Sequence, residues 1–191
     1  IVRMPFEVRH MGSKYPIFSF DFTGAKRGVL PASYDYLRLE GRMQYRLNLP
    51  PIGYSQLMLE GGKIFGKVPY LLLKLHEGNG TYFYDRYAFS CMNFYEFSSD
   101  AWISFFYEHH FNGFLLGRVP LLKKLNWREV FVFKGVYGTL SARNDGSLPN
   151  TKAVMLFPVG MSSVEHPYLE TGFGIENIFR LLRVDCIWRL T

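Results

Sequence analysis

Residues 37–49 alternate strictly between two kinds of side chain, and this alternation constrains the fold more than any other feature of the chain. The odd positions are apolar or glycine (Leu37, Leu39, Gly41, Met43, Tyr45, Leu47 and Leu49), and the even positions are polar (Arg38, Glu40, Arg42, Gln44, Arg46 and Asn48). Successive side chains of a β-strand point to opposite faces, so the segment predicts one long, two-faced strand. Soluble strands usually have about 5–6 residues, whereas about 9–11 residues cross a bilayer at a tilt. The pattern therefore favours a strand with one face toward lipid and the other toward a polar lumen.

The same alternation recurs along the chain and predicts an all-β fold. Seven further segments are predicted strands: 2–8, 18–22, 54–65, 101–111, 127–141, 168–175 and 182–190. We therefore expect an antiparallel, up-and-down transmembrane β-barrel, with about eight strands seen in residues 1–191 as part of a single domain. A soluble β-sandwich is the alternative that aromatic content alone leaves open.

Composition excludes a helical membrane protein and argues against a nucleic-acid partner. Mean hydropathy is −0.02, and no stretch approaches the roughly 18 uncharged apolar residues of a membrane helix. The 18 Phe, 13 Tyr and 3 Trp suit the two aromatic girdles of a membrane barrel. Although the net charge is +6, the basic residues alternate with apolar ones and are interleaved with carboxylates. No run of five basic residues occurs, so we expect no nucleic-acid binding.

The connections between the predicted strands differ in length on the two sides of the sheet. Pro50 and Pro51 mark a tight turn, and 119–125 and 178–183 have the character of short helical turns that either lie at a membrane interface or cap the barrel end. The opposite side carries the longer segments 24–33, 66–99 and 142–166. Short turns on one rim and long loops on the other are typical of outer-membrane barrels, so we expect a multi-pass protein of the bacterial outer membrane.

The polar face supplies the candidate functional residues. The side chains expected to face the lumen are Arg38, Arg42, Arg46, Glu60, Glu108, Arg183 and Arg189. Carboxylates such as Glu108 and Glu170 have the chemistry of a general acid and base, but a buried ion network is the simpler interpretation. His109 and His110 are adjacent in a predicted strand, so they point to opposite faces and cannot readily bind one metal ion. The sequence thus predicts no catalytic, metal or cofactor site and no enzyme.

Several segments together resemble a known family. They are 62–72 (GKIFGKVPYLL), 77–84 (EGNGTYFY), 95–100 (YEFSSD), 108–111 (EHHF), 120–122 (PLL), 127–129 (WRE) and 174–179 (GIENIF). From about Gly53 onward, the chain resembles the C-terminal barrel of a Gram-negative outer-membrane family whose members carry an N-terminal carboxypeptidase-regulatory-like domain. The barrel of that family has no assigned function.

The family is in turn similar, more distantly, to the outer-membrane assembly factor and two-partner secretion barrels. In those proteins a long extracellular loop folds back into the lumen and carries an Arg-Gly-aromatic motif. The corresponding place here has Tyr82, Phe83 and Tyr84 without an Arg-Gly pair. We expect these aromatics to pack rather than form a solvated loop, and we consider Asp85 and Arg86 either a substitute polar contact or a surface ion pair.

The resemblance also implies that residues 1–191 are the C-terminal half of a larger barrel that lacks its last strand. Barrels of the remote superfamily have about twice as many strands and close with one more strand after the position of 182–191. The expected partners are outer-membrane lipid, further strands of the same polypeptide and other outer-membrane proteins. The expected function is a non-enzymatic role in outer-membrane biogenesis, export or a larger complex. The alternatives are a scaffold barrel that anchors a periplasmic domain, and a self-contained eight-stranded barrel with enzymatic or transport activity.

Overall fold

A computed structural model describes residues 2–4, 7–9, 15–28, 33–80, 84–164 and 166–191, and these residues form an all-β fold. The strands in chain order are β1 (Val2–Met4), β2 (Glu7–Arg9), β3 (Ile17–Ala25), β4 (Tyr36–Leu49), β5 (Gly53–Gly66), β6 (Lys74–Leu75), β7 (Phe97–Ser99), β8 (Ala101–His110), β9 (Arg128–Thr139), β10 (Ser162–Ser163), β11 (Tyr168–Ile178) and β12 (Leu182–Arg189). Short helical segments occupy Tyr70–Leu72, Leu116–Arg118 and Pro120–Lys123.

Seven strands form one antiparallel sheet with the order β12-β11-β9-β8-β5-β4-β3. Among these seven, each strand pairs with the next one along the chain, as the up-and-down prediction required. Their bounds differ from the predicted ones by three residues or fewer. Period-two alternation therefore located these strands correctly, because each has one face that differs chemically from the other.

The prediction of an eighth long strand at 2–8 was wrong. β1 and β2 pair with each other in a separate two-stranded sheet, in which Val2 lies opposite Arg9. Proline stands at position 5 between them, and a proline cannot donate a hydrogen bond to a strand ladder. The prediction of a helical turn at 178–183 was also wrong, because β11 continues to Ile178 and a tight turn leads directly into β12.

The two faces of the seven-stranded sheet are chemically opposite, and only one of them is covered by other parts of the chain. The covered face carries the even positions of β4, β5, β8, β9 and β11 and the odd positions of β12. It lies under the described residues of the connections 67–100 and 140–167. The open face carries large exposed side chains: Phe18, Phe20, Phe22, Leu37, Phe65, Ile103, Tyr137, Phe173, Val184 and Trp188. Charged residues lie on the covered face even where they are fully buried, for example Lys134 and Glu170.

Two apolar clusters hold the long connections against the covered face. In the first, Phe89 and Met92 of the connection 67–100 pack on Met58, Phe106 and other sheet residues. In the second, Ile64 and Trp102 of the sheet contact Val68, Leu73 and the partly buried Phe157. A small sheet in which β7 pairs with β6 and β10 joins the two connections. Among the described residues of the predicted loop 66–99, Val68, Leu73, Phe89 and Met92 are therefore packed, whereas Phe94 is exposed.

Two edges of the large sheet have a neighbour on one side only. Within the described residues, β3 pairs only with β4, and β12 pairs only with β11. The strands of this part of the chain therefore form an open sheet. No helix in the described ranges is long and apolar enough to cross a bilayer.

Candidate functional site

A first charged group on the covered face joins β4 and β5 to β6. Arg42 Nη2 lies 2.7 Å from Glu60 Oε2, and Lys74 Nζ lies 2.5 Å from Glu60 Oε1. The indole N–H of Trp102 donates to the same Glu60 carboxylate at 3.3 Å. Gly62 makes room for this indole, because a Cβ at that position would lie 2.5 Å from the Trp102 ring. A carboxylate that is only 4% exposed is thus neutralised by two cations.

A second group surrounds Glu108, which is 1% exposed in the middle of the sheet. Arg86 Nε donates to Glu108 Oε2 at 2.6 Å, and an Arg183 N–H donates to Glu108 Oε1. Arg183 Nε also lies 2.8 Å from Asp185 Oδ2, and His110 Nε2 lies 3.1 Å from Glu108 Oε1. Because Arg86 belongs to the long connection and the other groups belong to the sheet, this carboxylate links the two.

Lys134 fixes the backbone of the same connection from the centre of β9. Its ammonium group donates to the carbonyl oxygen of Asp85 at 3.0 Å and to that of Ala88. The side chain is 1% exposed, so a cation there needs several acceptors to replace its water shell. These carbonyl oxygens supply part of that replacement and hold residues 85–88 over the sheet.

Glu170 fixes the next residues of the connection with the opposite charge. Its carboxylate accepts the backbone N–H of Ser90 at 2.8 Å and that of Cys91 at 2.7 Å. It also accepts the hydroxyl of Tyr168 at 2.6 Å, and it is fully buried. We name Arg86, Glu108, Lys134, Glu170 and Arg183 the loop–sheet polar cluster, because together they hold residues 84–92 against the covered face.

Of the three predicted packing aromatics, Tyr84 is described by the structure, whereas Tyr82 and Phe83 lie outside the described residues. Its ring lies between two cations, 4.4 Å from Arg183 Cζ and 4.7 Å from Lys134 Nζ. Burial, together with the nearby Glu108 carboxylate, raises the pKa of the Tyr84 phenol. The Tyr84 ring is thus a neutral group that lies between two cations.

The residues predicted to face a lumen lie on the covered face. Arg42, Glu60, Glu108 and Arg183 take part in the two charged groups described above. Arg38 pairs with Glu40 at 2.6 Å. Toward the ends of their strands, Arg46 stacks on Tyr54 with its Cζ 4.1 Å from the ring centroid, and Arg189 Nη1 lies 2.8 Å from Glu96 Oε1.

The interpretation of Asp85 and Arg86 as a surface ion pair was wrong. Arg86 is directed into the covered face, where it contacts Glu108 and the Gln56 side-chain oxygen. The Asp85 side chain instead accepts the backbone N–H of Tyr87 at 2.9 Å, which stabilises the local turn. Burial disfavours the charge on Arg86, but Glu108 raises the pKa of its guanidinium above the ordinary value. Arg86 alone therefore makes a side-chain contact with the sheet, whereas the Asp85 carboxylate stabilises the local turn.

Three histidines, His76, His109 and His110, occupy three separate environments. His109 Nδ1 lies 2.7 Å from Ser55 Oγ on the open face, whereas His110 Nδ1 lies 3.1 Å from Glu176 Oε2 on the covered face. His76 is buried beside β7, with Nε2 3.0 Å from Ser99 Oγ. Burial, reinforced by the nearby Lys74 charge, lowers the pKa of His76 to about 4. In the described part of the chain, no three His, Cys, Asp or Glu residues are grouped as metal ligands would be.

A cavity of about 290 Å³ lies between the connection and the sheet. Its charged lining residues are Arg42, Lys74, Glu60, Glu77 and Asp85, and Phe89 and Phe106 bound it on the apolar side. The two cations are already paired with Glu60 in this space. Because Glu77 and Asp85 are also present, the lining has three carboxylates and two cations, a formal excess of one negative charge.

Lys134 and Phe89 are the important residues that the sequence interpretation did not single out. Lys134 is the one charged residue within the run Val130–Val136, and a lone cation in such a run is a signal that a buried partner exists elsewhere. Phe89 is 1% exposed and packs at 5.0 Å from the Phe106 ring centroid. No local pattern distinguishes Phe89 from the exposed aromatics near it, such as Phe94.

Comparison with known families now identifies the chain. Residues 3–142 match the family of unknown function DUF5686, C-terminal domain, so the chain belongs to that family. The comparison with proteins of curated function gave no match. The identification agrees with a C-terminal part of a larger protein and assigns no activity to the loop–sheet polar cluster.

Proposed function

We propose that the chain forms part of an integral barrel of the bacterial outer membrane, as a non-enzymatic component in outer-membrane biogenesis, export or a larger outer-membrane complex. The observation that carries this proposal is the inverted distribution of polarity on the sheet. Phe20, Phe22 and Phe173 are 59–74% exposed on the open face, while Glu108 and Lys134 are 1% exposed on the covered face. A soluble sheet buries its apolar face, whereas a membrane barrel presents that face to lipid.

Strand length and the single-sided edges support the same architecture. β4 and β5 each have 14 residues, and β9 and β11 have 12 and 11, so the central strands reach the about 9–11 residues needed for a tilted span. Lipid contains no water to satisfy the backbone groups of β3 and β12. We therefore propose that further strands of the polypeptide pair with both edges and close the barrel.

The packed connection 67–100 supports a filled lumen rather than a permanently open pore. Its residues 84–92 lie on the covered face through the loop–sheet polar cluster, and Phe89 and Met92 pack below them. Passage of any cargo would require these buried contacts to break. A component that assembles with other proteins, or that opens when a partner binds, fits this arrangement better than a passive channel.

Depletion of the protein in its own cells tests the biogenesis role. If it acts in outer-membrane assembly, quantitative proteomics of isolated outer membranes should show reduced levels of many other barrel proteins. Unchanged levels of those proteins would refute the biogenesis role. An alkaline carbonate wash of the membranes tests the architecture separately, because an integral barrel stays in the pellet and a peripheral protein is released.

A scaffold that anchors a periplasmic domain is the second candidate. The apolar residues Leu115, Val119 and Leu125 of the connection 111–127 are 45–51% exposed, which suits a segment that rests on an interface. In this case depletion should leave other barrels unchanged and should release only proteins bound to this one.

A further inference from the structure

One rim of the sheet combines exposed apolar side chains with an excess of cations. We name it the short-loop rim, and it consists of the connections 111–127 and 179–181 together with Arg128. These residues include Arg118, Lys123, Lys124, Arg128 and Arg180, and no aspartate or glutamate. The connections at the opposite rim, 26–35, 67–100 and 140–167, contain seven Lys or Arg residues and seven Asp or Glu residues. The excess of positive charge is therefore confined to one end.

The two connections of the short-loop rim form one continuous surface. Asn177 Nδ2, next to the turn 179–181, donates to the carbonyl oxygen of Asn126 at 2.8 Å. Glu129 lies at the base of this rim, and its carboxylate accepts the backbone N–H of Leu116. Glu176, the other nearby carboxylate, pairs with His110 at 3.1 Å. Glu176 also lies opposite Arg128 in the strand register and interacts with its charge. The five rim cations are all exposed, so the surface keeps an excess of positive charge.

The turn 179–181 has a strained backbone that presents two large apolar side chains. Phe179 and Arg180 have φ values of 50° and 65°, in the left-handed region where Asn-Gly would be favoured in a two-residue hairpin. Bulky residues in this conformation cost free energy, and such positions cluster at functional sites. Phe179 is 81% exposed and Leu181 is 89% exposed. These side chains contribute little to packing within the described chain, so they are available for contacts with a partner outside it.

A concave site of about 190 Å³ lies on this rim. It is bounded by Asn112, Lys123, Asn126, Trp127 and Arg128, together with two glycines and Leu122. Two cations and two amide side chains around a small cavity suit a phosphodiester group, and tryptophan is typical of the membrane interface. Cavities for small-molecule ligands are usually about 300–1,000 Å³, so this one has room for a headgroup alone.

We propose that the short-loop rim is a binding surface for anionic phospholipid, with the headgroup phosphate between Lys123 and Arg128 and with Phe179 and Leu181 inserted among the acyl chains. Charge complementarity favours this occupant, because each Lys or Arg near an anionic membrane surface contributes about 1 kcal/mol. The opposite rim also exposes apolar residues, such as Leu156 and Val159, but it has no net charge with which to select an anionic lipid. The inference rests on the proposed membrane location.

Fluorescence quenching at Trp127 tests the proposal. The full-length protein, which supplies the strands proposed to pair with β3 and β12, carries Trp188→Phe to remove the indole on the open face. It is reconstituted into phosphatidylcholine vesicles that contain a small fraction of brominated phosphatidylglycerol or brominated phosphatidylcholine, and a Trp127→Phe version gives the background of the remaining indoles. Trp102 is 5% exposed on the covered face and gives a constant background. We expect brominated phosphatidylglycerol to quench Trp127 at least about ten times as strongly as brominated phosphatidylcholine. This ratio of quenching should fall to near one in Lys123→Gln/Lys124→Gln/Arg128→Gln and should decrease at high salt.

The matched control is Lys26→Gln/Arg27→Gln/Lys152→Gln, which removes three cations from the opposite rim and should keep the preference. Equal quenching by the two lipids in the parent protein, or equal loss in both triple variants, would overturn the proposal. Absence of quenching by either lipid would also overturn it, since that result places Trp127 in water, as for a surface that docks an acidic protein. In each case, retention of the protein in the membrane pellet after the carbonate wash distinguishes failure of this proposal from failure of the proposed barrel.

Discussion

Removal of the Glu170 carboxylate should release the connection 67–100 from the sheet. Glu170 is fully buried and accepts the backbone N–H groups of Ser90 and Cys91 at 2.8 and 2.7 Å. A hydrogen bond to a charged group contributes about 1.5–3 kcal/mol, so Glu170→Ala should lower the opening free energy of residues 84–92 by about 3–6 kcal/mol. Each 1.4 kcal/mol changes the open population about tenfold, so this population should rise at least about a hundredfold.

Native-state proteolysis at Arg86 measures this opening. In the closed state the Arg86 guanidinium is held by Glu108, so trypsin cleaves only when the segment opens, and the rate follows the open population. Glu170→Gln should give a smaller increase, about tenfold or more, because the amide keeps one acceptor oxygen but turns an N–H toward a backbone donor. Mass spectrometry of the fragments assigns the cleavage to Arg86.

Glu77→Gln is the matched control, because Glu77 is an exposed glutamate of the same connection and its backbone carbonyl, not its side chain, accepts the Phe89 N–H at 2.8 Å. It should leave the cleavage rate at Arg86 unchanged. A wild-type rate for Glu170→Ala would refute the role of Glu170 in holding the connection. An equal rise at Arg27, outside the connection, would mean that the whole sheet had been destabilised instead.

Three further predictions concern other parts of the fold. If the proposed barrel forms, Met43→Arg should reduce the amount of folded protein in outer membranes, since an arginine at the bilayer midplane costs about 2–4 kcal/mol, whereas Arg42→Met on the covered face should be milder; the reverse order would contradict the proposed membrane location. Arg86→Ala should speed proteolytic cleavage of the connection more than Arg86→Lys, because lysine keeps the positive charge beside Glu108. The rates are measured with a protease that does not cleave at Lys or Arg, and equal rates would argue that the charge is unimportant. Burial lowers the pKa of His76 to about 4, so protonation favours the unfolded state. The free energy of unfolding should therefore fall by about 3 kcal/mol as the pH decreases from about 6.5 to about 4. Urea unfolding of His76→Gln should lack that part of the pH dependence.

The sequence alone was sufficient to locate the strands of the large sheet and to assign their faces. The alternation in 37–49 predicted that Arg42 and Met43 lie on opposite faces, and β4 has this arrangement. This is possible because the side-chain period of two is a local property of an extended backbone. The same local argument failed at 2–8, where β1 and β2 form a hairpin of their own. Alternation shows that a segment is extended but does not show what it pairs with.

Only the tertiary structure decided how the covered face is filled. Glu170 and Ser90 are 80 residues apart, and Lys134 and Ala88 are 46 residues apart, yet each pair forms a hydrogen bond. No local pattern encodes such contacts, because they depend on the path of the connection across strands that are distant in sequence. Phe89 is buried and Phe94 is exposed for the same reason. The periodicity of a strand is set by its own residues, whereas the burial of a loop residue is set by the surface on which that loop folds.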